Sequence, residues 1–246
     1  MTQTETHKTL RVIAWLTTLI LASTPLTATA NNEGRRYIAE LLVFSYENKE
    51  PGLSEKWREN QQIELPSYYQ ALYKRSDIRM SELDSIASQP VSAAPTGLAP
   101  LSGKQIRALK NGTTPEYFIY ANHRHLLNGQ ANRLKRNGDH RILFHESWHM
   151  TARGKGKSLP IRIRGGQRFG NQYELDGTIS ISIARYLHVS TNLYLSEFSA
   201  TETADGQRSF RTSQVIPMKQ TRKMRSRELH YIDHPAFGIL VRFTPM

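Results

Sequence analysis

His145-Glu146-Ser147-Trp148-His149 matches H-E-x-x-H, a spacing that makes a zinc hydrolase when it lies on a helix. There the two histidines share a face and the glutamate serves as base. The surrounding residues point to a strand instead. Asn137-Gly138-Asp139 closes the preceding segment, and Ile142, Phe144, Glu146 and Trp148 then alternate. At roughly 3.3 Å per residue, histidines four apart on a strand stand about 13 Å from each other and cannot share an ion. A metal-dependent wall hydrolase through His145, Glu146 and His149 therefore requires a helix over 141–149. His123-Arg124-His125 adds an H-x-H pair, for which the sequence identifies no further ligand. No metal site and no cofactor is expected.

Other catalytic signatures are missing. The chain has no cysteine, which excludes thiol nucleophiles and disulfides, and it has no S-x-x-K and no G-x-S-x-G. Gly154-Lys155-Gly156-Lys157-Ser158 lacks the upstream glycine of a phosphate loop and reads as a basic hairpin loop. Glu174, Glu197, Glu228 and Asp233 are the carboxylates available for glycoside cleavage, and nothing marks any of them as a raised-pKa acid.

What remains is a recognition surface. Arg162 and Arg164 lead into Gly165-Gly166-Gln167-Arg168, and Arg222, Arg225 and Arg227 extend the basic character. Tyr186, His188, His230 and Tyr231 supply rings close by in sequence, with Glu228, Asp233 and His234 among them. Rings meet the apolar faces of sugars, while guanidinium forks pair bidentately with carboxylates. That combination suits a sugar–peptide polymer. The same residues also serve a plain structural hairpin, with Glu228 pairing across the ladder and Asp233-His234-Pro235 forming a turn.

The bounds of the chain fit an envelope protein. Lys8 and Arg11 precede the apolar run Val12–Leu21, and Ala28-Thr29-Ala30 provides small residues for cleavage. This reads as a secretory signal peptide over 1–30, with an apolar run too short to span a bilayer. The expected product is a periplasmic single domain, 31–246, without a transmembrane anchor. Net charge is +12 over 246 residues, and removing two basic residues and one acidic leaves +11. Export argues against nucleic acid as the target, so the polyanions of the envelope are the better match.

The elements that must position these residues are mostly strands. Tyr37–Tyr46 reads as a buried strand, and 85–100 as a Ser/Ala/Pro/Gly-rich loop. A short helix follows Ser102, and another spans about 128–136, with Leu127, Ala131 and Leu134 on one face and Asn137-Gly138 as its C-cap. Strand patterns cover 141–149, 159–164, 178–184, 187–195, 209–216, 219–231 and 237–243, with a tight corner near Arg185-Tyr186. The fold class is α+β: a mostly antiparallel β-sheet with one or two packing helices. The hairpin at 178–198 also suits an outer-membrane β-barrel-like component. Only about five segments reach membrane length, however, and outward aromatic girdles are absent.

"RKMRSRELHYIDHPAFGILVRFTP", preceded by "RRYIAELLVFSYEN", "RLKRNGDHRILFHESW", "LPIRIRGG" and "LDGTISISIARYLHV", resembles the CsiV family of periplasmic peptidoglycan-binding proteins. The resemblance runs in order over most of 36–245, whereas 47–100 matches nothing in it. It implies a non-enzymatic partner of peptidoglycan that supports wall synthesis and cell shape. It further implies a periplasmic or outer-membrane lipoprotein activator of a class A penicillin-binding synthase as protein partner. It assigns no binding residue.

Overall fold

The computed structural model describes residues 33–48, 57, 61–79, 97–202 and 208–246. The expected signal peptide and most of the 85–100 loop lie outside the described residues. Eight strands and two helices appear in the order β1 (Arg36–Tyr46), α1 (Gly103–Lys110), α2 (Asn128–Arg136), β2 (His140–Thr151), β3 (Ile161–Phe169), β4 (Gln172–Ile183), β5 (Leu187–Glu202), β6 (Arg208–Met224), β7 (Leu229–Ile232) and β8 (Phe237–Pro245). The α+β class is as expected, but the strands divide into two four-stranded antiparallel sheets, β2-β1-β8-β7 and β3-β4-β5-β6. Among the described residues both sheets are open, and no closed barrel forms.

Alternation decides how the sheets pack. Tyr37, Ala39, Leu41 and Val43 of β1 meet Ile161 and Ile163 of β3, Ile179, Ile181 and Ile183 of β4, and Leu187, Val189 and Leu193 of β5 in one apolar core. Ile239, Val241 and Phe243 of β8 complete it. Two sheets with one apolar face each bury those faces against each other. Strand β1 is apolar on its other face too, where Leu42 and Phe44 receive Leu127, Ala131 and Leu134 at helix α2. That face of α2 is the one its i, i+4, i+7 spacing dictates. The helix ends at Asn137, followed by Gly138 at φ +75°, the left-handed position glycine tolerates. Helix α1 starts from a capping box in which Ser102 and Gln105 bond each other's backbone amides.

Exposed ladder edges are covered by irregular chain, which removes a template for unwanted pairing. Tyr117 and Tyr120 donate their amides to His149 and Ser147 along the free edge of β2. Gln70 bridges Pro160 and Arg162 along the edge of β3. Among the described residues, the other two edges are the four-residue β7 and β6, and β6 carries Pro217 and Lys219.

Strands β3, β4 and β5 run further than expected, to Phe169, from Gln172 and to Glu202, and one break falls elsewhere. The strand read at 209–216 and the 219–224 part of that read at 219–231 are a single 17-residue strand, β6, that runs through Pro217, while 229–231 belongs to β7. Proline, which lacks the N–H a ladder needs on both sides, is tolerated there because β6 is an edge strand paired only with β5 among the described residues. The break falls instead at Arg225–Glu228, where Arg227 takes φ +68° and donates its amide to Phe243. An uninterrupted alternation from Met224 to Ile232 therefore does not exist.

Candidate functional site

The outward face of the second sheet positions most of the basic residues. Buried positions on β5 (Leu187, Val189, Leu193) leave His188, Ser190 and Asn192 pointing the other way. Antiparallel register places Lys223 directly opposite His188 and Lys219 opposite Asn192. Arg162 lies across from Thr178, which in turn faces Asn192. One polar face thus collects Arg162, His188, Lys219 and Lys223.

At its end, where β4 turns into β5 and β6 ends, a cavity of ≈ 180 Å³ is lined by Tyr186, Lys223, Met224, Arg225, Glu228 and His230. Tyr186 sits at the corner, which is tied by the Ala184 amide bonding the Tyr186 carbonyl. Three cations converge on its ring: Lys223 Nζ at 4.9 Å, Arg185 Cζ at 5.5 Å and Arg225 Cζ at 5.9 Å from the centroid. Met224, fully buried, forms the floor. His230 Nε2 lies 3.1 Å from the Arg225 amide nitrogen and 2.9 Å from its carbonyl oxygen, which pins the turn beneath the arginine. Glu228 approaches the Arg225 guanidinium at 3.9 Å, with both side chains more than half exposed. An exposed pair at that distance holds weakly, so Arg225 stays available to a stronger anion. The pocket has an aromatic wall at Tyr186 and His230 and an excess of positive charge.

The other residues expected at the site sit elsewhere. Arg162 grips Asp176 with two prongs at 3.0 and 2.8 Å, and a third nitrogen donates to the Tyr69 hydroxyl at 2.9 Å. This guanidinium is consumed internally. Arg164 and Arg168 both lie over the Tyr173 ring, at 5.3 and 5.8 Å, on the β3–β4 hairpin.

Tyr231 and Tyr46 meet through their hydroxyls, and Asp233 accepts from both, at 2.6 and 2.9 Å. The Tyr231 hydroxyl bond, helped by those of Tyr46 and the His234 amide, holds the Asp233 carboxyl below its ordinary range. Burial, reinforced by Asp233, pushes both phenols up. His234 is buried, stacked on Trp57 at 5.0 Å, and accepts from the Ala236 amide at 3.2 Å. Asp233 and His234 therefore build the turn between β7 and β8.

The H-E-x-x-H segment lies wholly within strand β2, which rules out the helical geometry that a hydrolase through His145, Glu146 and His149 requires. His145 bonds Glu40 at 2.9 Å, whereas His149 bonds the Tyr120 hydroxyl at 3.0 Å. The two rings have different partners because they stand four positions apart along an extended strand.

Lys223 and Met224 are the pocket-lining residues that reading the sequence missed, as is Arg185 over the Tyr186 ring. Lys223 follows from register: once His188 faces outward, the residue opposite it in β6 must do so too. The pairing of β5 with β6 is the information the sequence withholds.

Among the described residues, no helix is long and apolar enough to cross a membrane. No curated protein and no solved structure matches this chain. The sequence model of one family matches residues 12–246, nearly the whole length. An aromatic, cation-rich pocket on a fold without an assembled H-E-x-x-H centre agrees with the description that family carries, and the chain belongs to CsiV, a family of peptidoglycan-binding proteins.

Proposed function

We propose that this chain binds peptidoglycan non-covalently at the Tyr186 pocket and performs no chemistry on it. The observation that carries this reading is the convergence of Lys223, Arg185 and Arg225 on one phenol ring beside an open cavity. The Tyr186 ring takes the apolar face of a sugar, and the cations pair with stem-peptide carboxylates. His188 stands at the rim through its pairing with Lys223, and His230 holds the turn. Arg162, Asp233 and His234 act as scaffold. At ≈ 180 Å³ the pocket suits one sugar or one peptide terminus rather than a length of glycan.

Residues 1–30 direct export and are removed after Ala30, placing the product in the periplasm. There the protein is an adaptor. One face holds the wall, and another meets a lipoprotein activator of a class A penicillin-binding synthase, supporting wall synthesis and cell shape. The test is co-sedimentation of residues 31–246 with insoluble sacculi across a salt series in EDTA. The expected result is retention that falls smoothly with salt and releases no muropeptides. Failure to sediment even at low salt would sink direct wall binding, and muropeptide release would sink the non-catalytic reading.

A further inference from the structure

Far from the pocket, on the face of the first sheet that carries helix α2, three potential metal ligands come together. Glu40, His125 and His145 each offer one ligand atom, all within 4.8 Å of one another. They come from three elements: β1, the loop that leads into α2, and β2. Leu42 and His145 are ladder partners, so His145 shares the outer face with Leu42, and Glu40 lies two residues along on that same face.

Two of the three are accounted for without a ligand. Glu40 accepts the amides of Leu126 and Leu127, each at 2.8 Å, at the start of α2. His145 Nε2 bonds the same carboxylate at 2.9 Å. His125 is different. Its side chain is 1% exposed, it lies against the His145 ring at 4.6 Å between centroids, and neither of its ring nitrogens makes a hydrogen bond. The Tyr120 carbonyl lies near the ring and the Glu146 carboxylate stands 4.0 Å from Nε2, neither at hydrogen-bond geometry. Ser147, opposite Glu40 in the ladder, also buries a hydroxyl with no partner. Buried polar atoms without partners are rare in native proteins, and an ion is one of the few things that satisfies them.

We infer that Glu40, His125 and His145 bind a divalent transition-metal ion, with Zn²⁺ the best match to two imidazoles and a carboxylate. Zinc–ligand bonds of about 2.0–2.2 Å in a four-coordinate site set two ligand atoms roughly 3.3–3.6 Å apart, so a pair at the 4.8 Å limit closes on an ion by about an ångström of side-chain movement. Three protein ligands leave a fourth position for water, and Glu146, 4.0 Å from His125 Nε2, supplies a carboxylate to hold it. The amides of Leu126 and Leu127 orient the Glu40 carboxylate from behind, the supporting role that outer-shell donors play around metals. The ion clamps the loop before α2 onto the first sheet. This site is distinct from the H-E-x-x-H reading, because His149 takes no part.

The experiment is calorimetric titration of ZnCl₂ into EDTA-stripped residues 31–246, followed by Co²⁺ absorption spectra. The expected result is one saturable ion per chain at micromolar affinity or tighter, a Tm that rises with Zn²⁺, and Co²⁺ bands of a low-coordinate N/O site. His145→Gln keeps a donor toward Glu40 but loses the imidazole ligand, and should weaken binding at least 100-fold. His125→Leu replaces an unpartnered imidazole with an apolar group, so it should fold, hold its metal-free Tm and lose both the ion and the Co²⁺ bands. No saturable uptake by the wild-type chain would overturn the site. So would uptake that both variants retain, since the ion would then lie on other histidines such as His188 and His230.

Discussion

Arg162 and Arg225 carry the same guanidinium to different ends, and geometry separates them. Arg162 is bidentate on Asp176 and capped by Tyr69, with 20% of its side chain exposed, whereas Arg225 leaves 67% exposed beside a loose carboxylate. Arg162→Ala strands a largely buried Asp176 and should lower stability by about 2–3 kcal/mol in urea denaturation. Sacculus retention by the folded variant should not change. Arg225→Ala should do the reverse, leaving stability within about 0.5 kcal/mol and reducing retention. Asp233 offers a pH test. Its folded pKa lies below its ordinary value of 3.8, so the ionised form is favoured by folding. The stabilisation is complete above the unfolded value and lost as pH falls through the folded one. The Tm gap between wild type and Asp233→Asn should therefore be present at pH 7 and shrink below about pH 4. A gap that persists undiminished at pH 2 would contradict the role given to the two phenols.

At the scale of elements, local periodicity told most of the story and long-range register told the rest. Leu127, Ala131 and Leu134 announced α2, and Ile179, Ile181 and Ile183 announced the buried face of β4, because each pattern is confined to a few turns or one strand. The strand over 208–224 reads as two in the sequence, and it stays one through Pro217 because proline is tolerated on an edge. The clustering of Glu40, His125 and His145 spans separations of 85 and 105 residues, and no short pattern encodes such pairings. The pocket was half legible: Tyr186, Arg225, Glu228 and His230 stood out by type, while Lys223 needed the β5–β6 register. The neighbouring β4–β5 pairing depends on close approach of the two strands at Gly177. Its φ is +141°, and a Cβ there would lie 2.2 Å from the Asn192 carbonyl oxygen. Gly177→Ala should destabilise the second sheet by about 2–3 kcal/mol, read as a lower urea midpoint. A variant as stable as wild type would show that β4 can shift away from β5.

Over the whole molecule, charge and site make separable contributions. A net charge of +12 attracts any polyanion, so weak retention on sacculi could reflect charge alone. The pocket predicts more than that, because it places three cations around one ring within reach of one ligand. Lys155 and Lys157 provide the control: they sit on the short helical turn between β2 and β3, and reversing both changes net charge as much as reversing Lys223 and Arg225. The decisive measurement compares sacculus affinity for these two double variants, Lys223→Glu/Arg225→Glu and Lys155→Glu/Lys157→Glu, at 150 mM salt. The account predicts at least tenfold weaker binding for the pocket pair, about 1.4 kcal/mol, and less than threefold for the loop pair. Equal losses in the two variants would contradict it, because binding would then follow net charge and the Tyr186 pocket would not be the site.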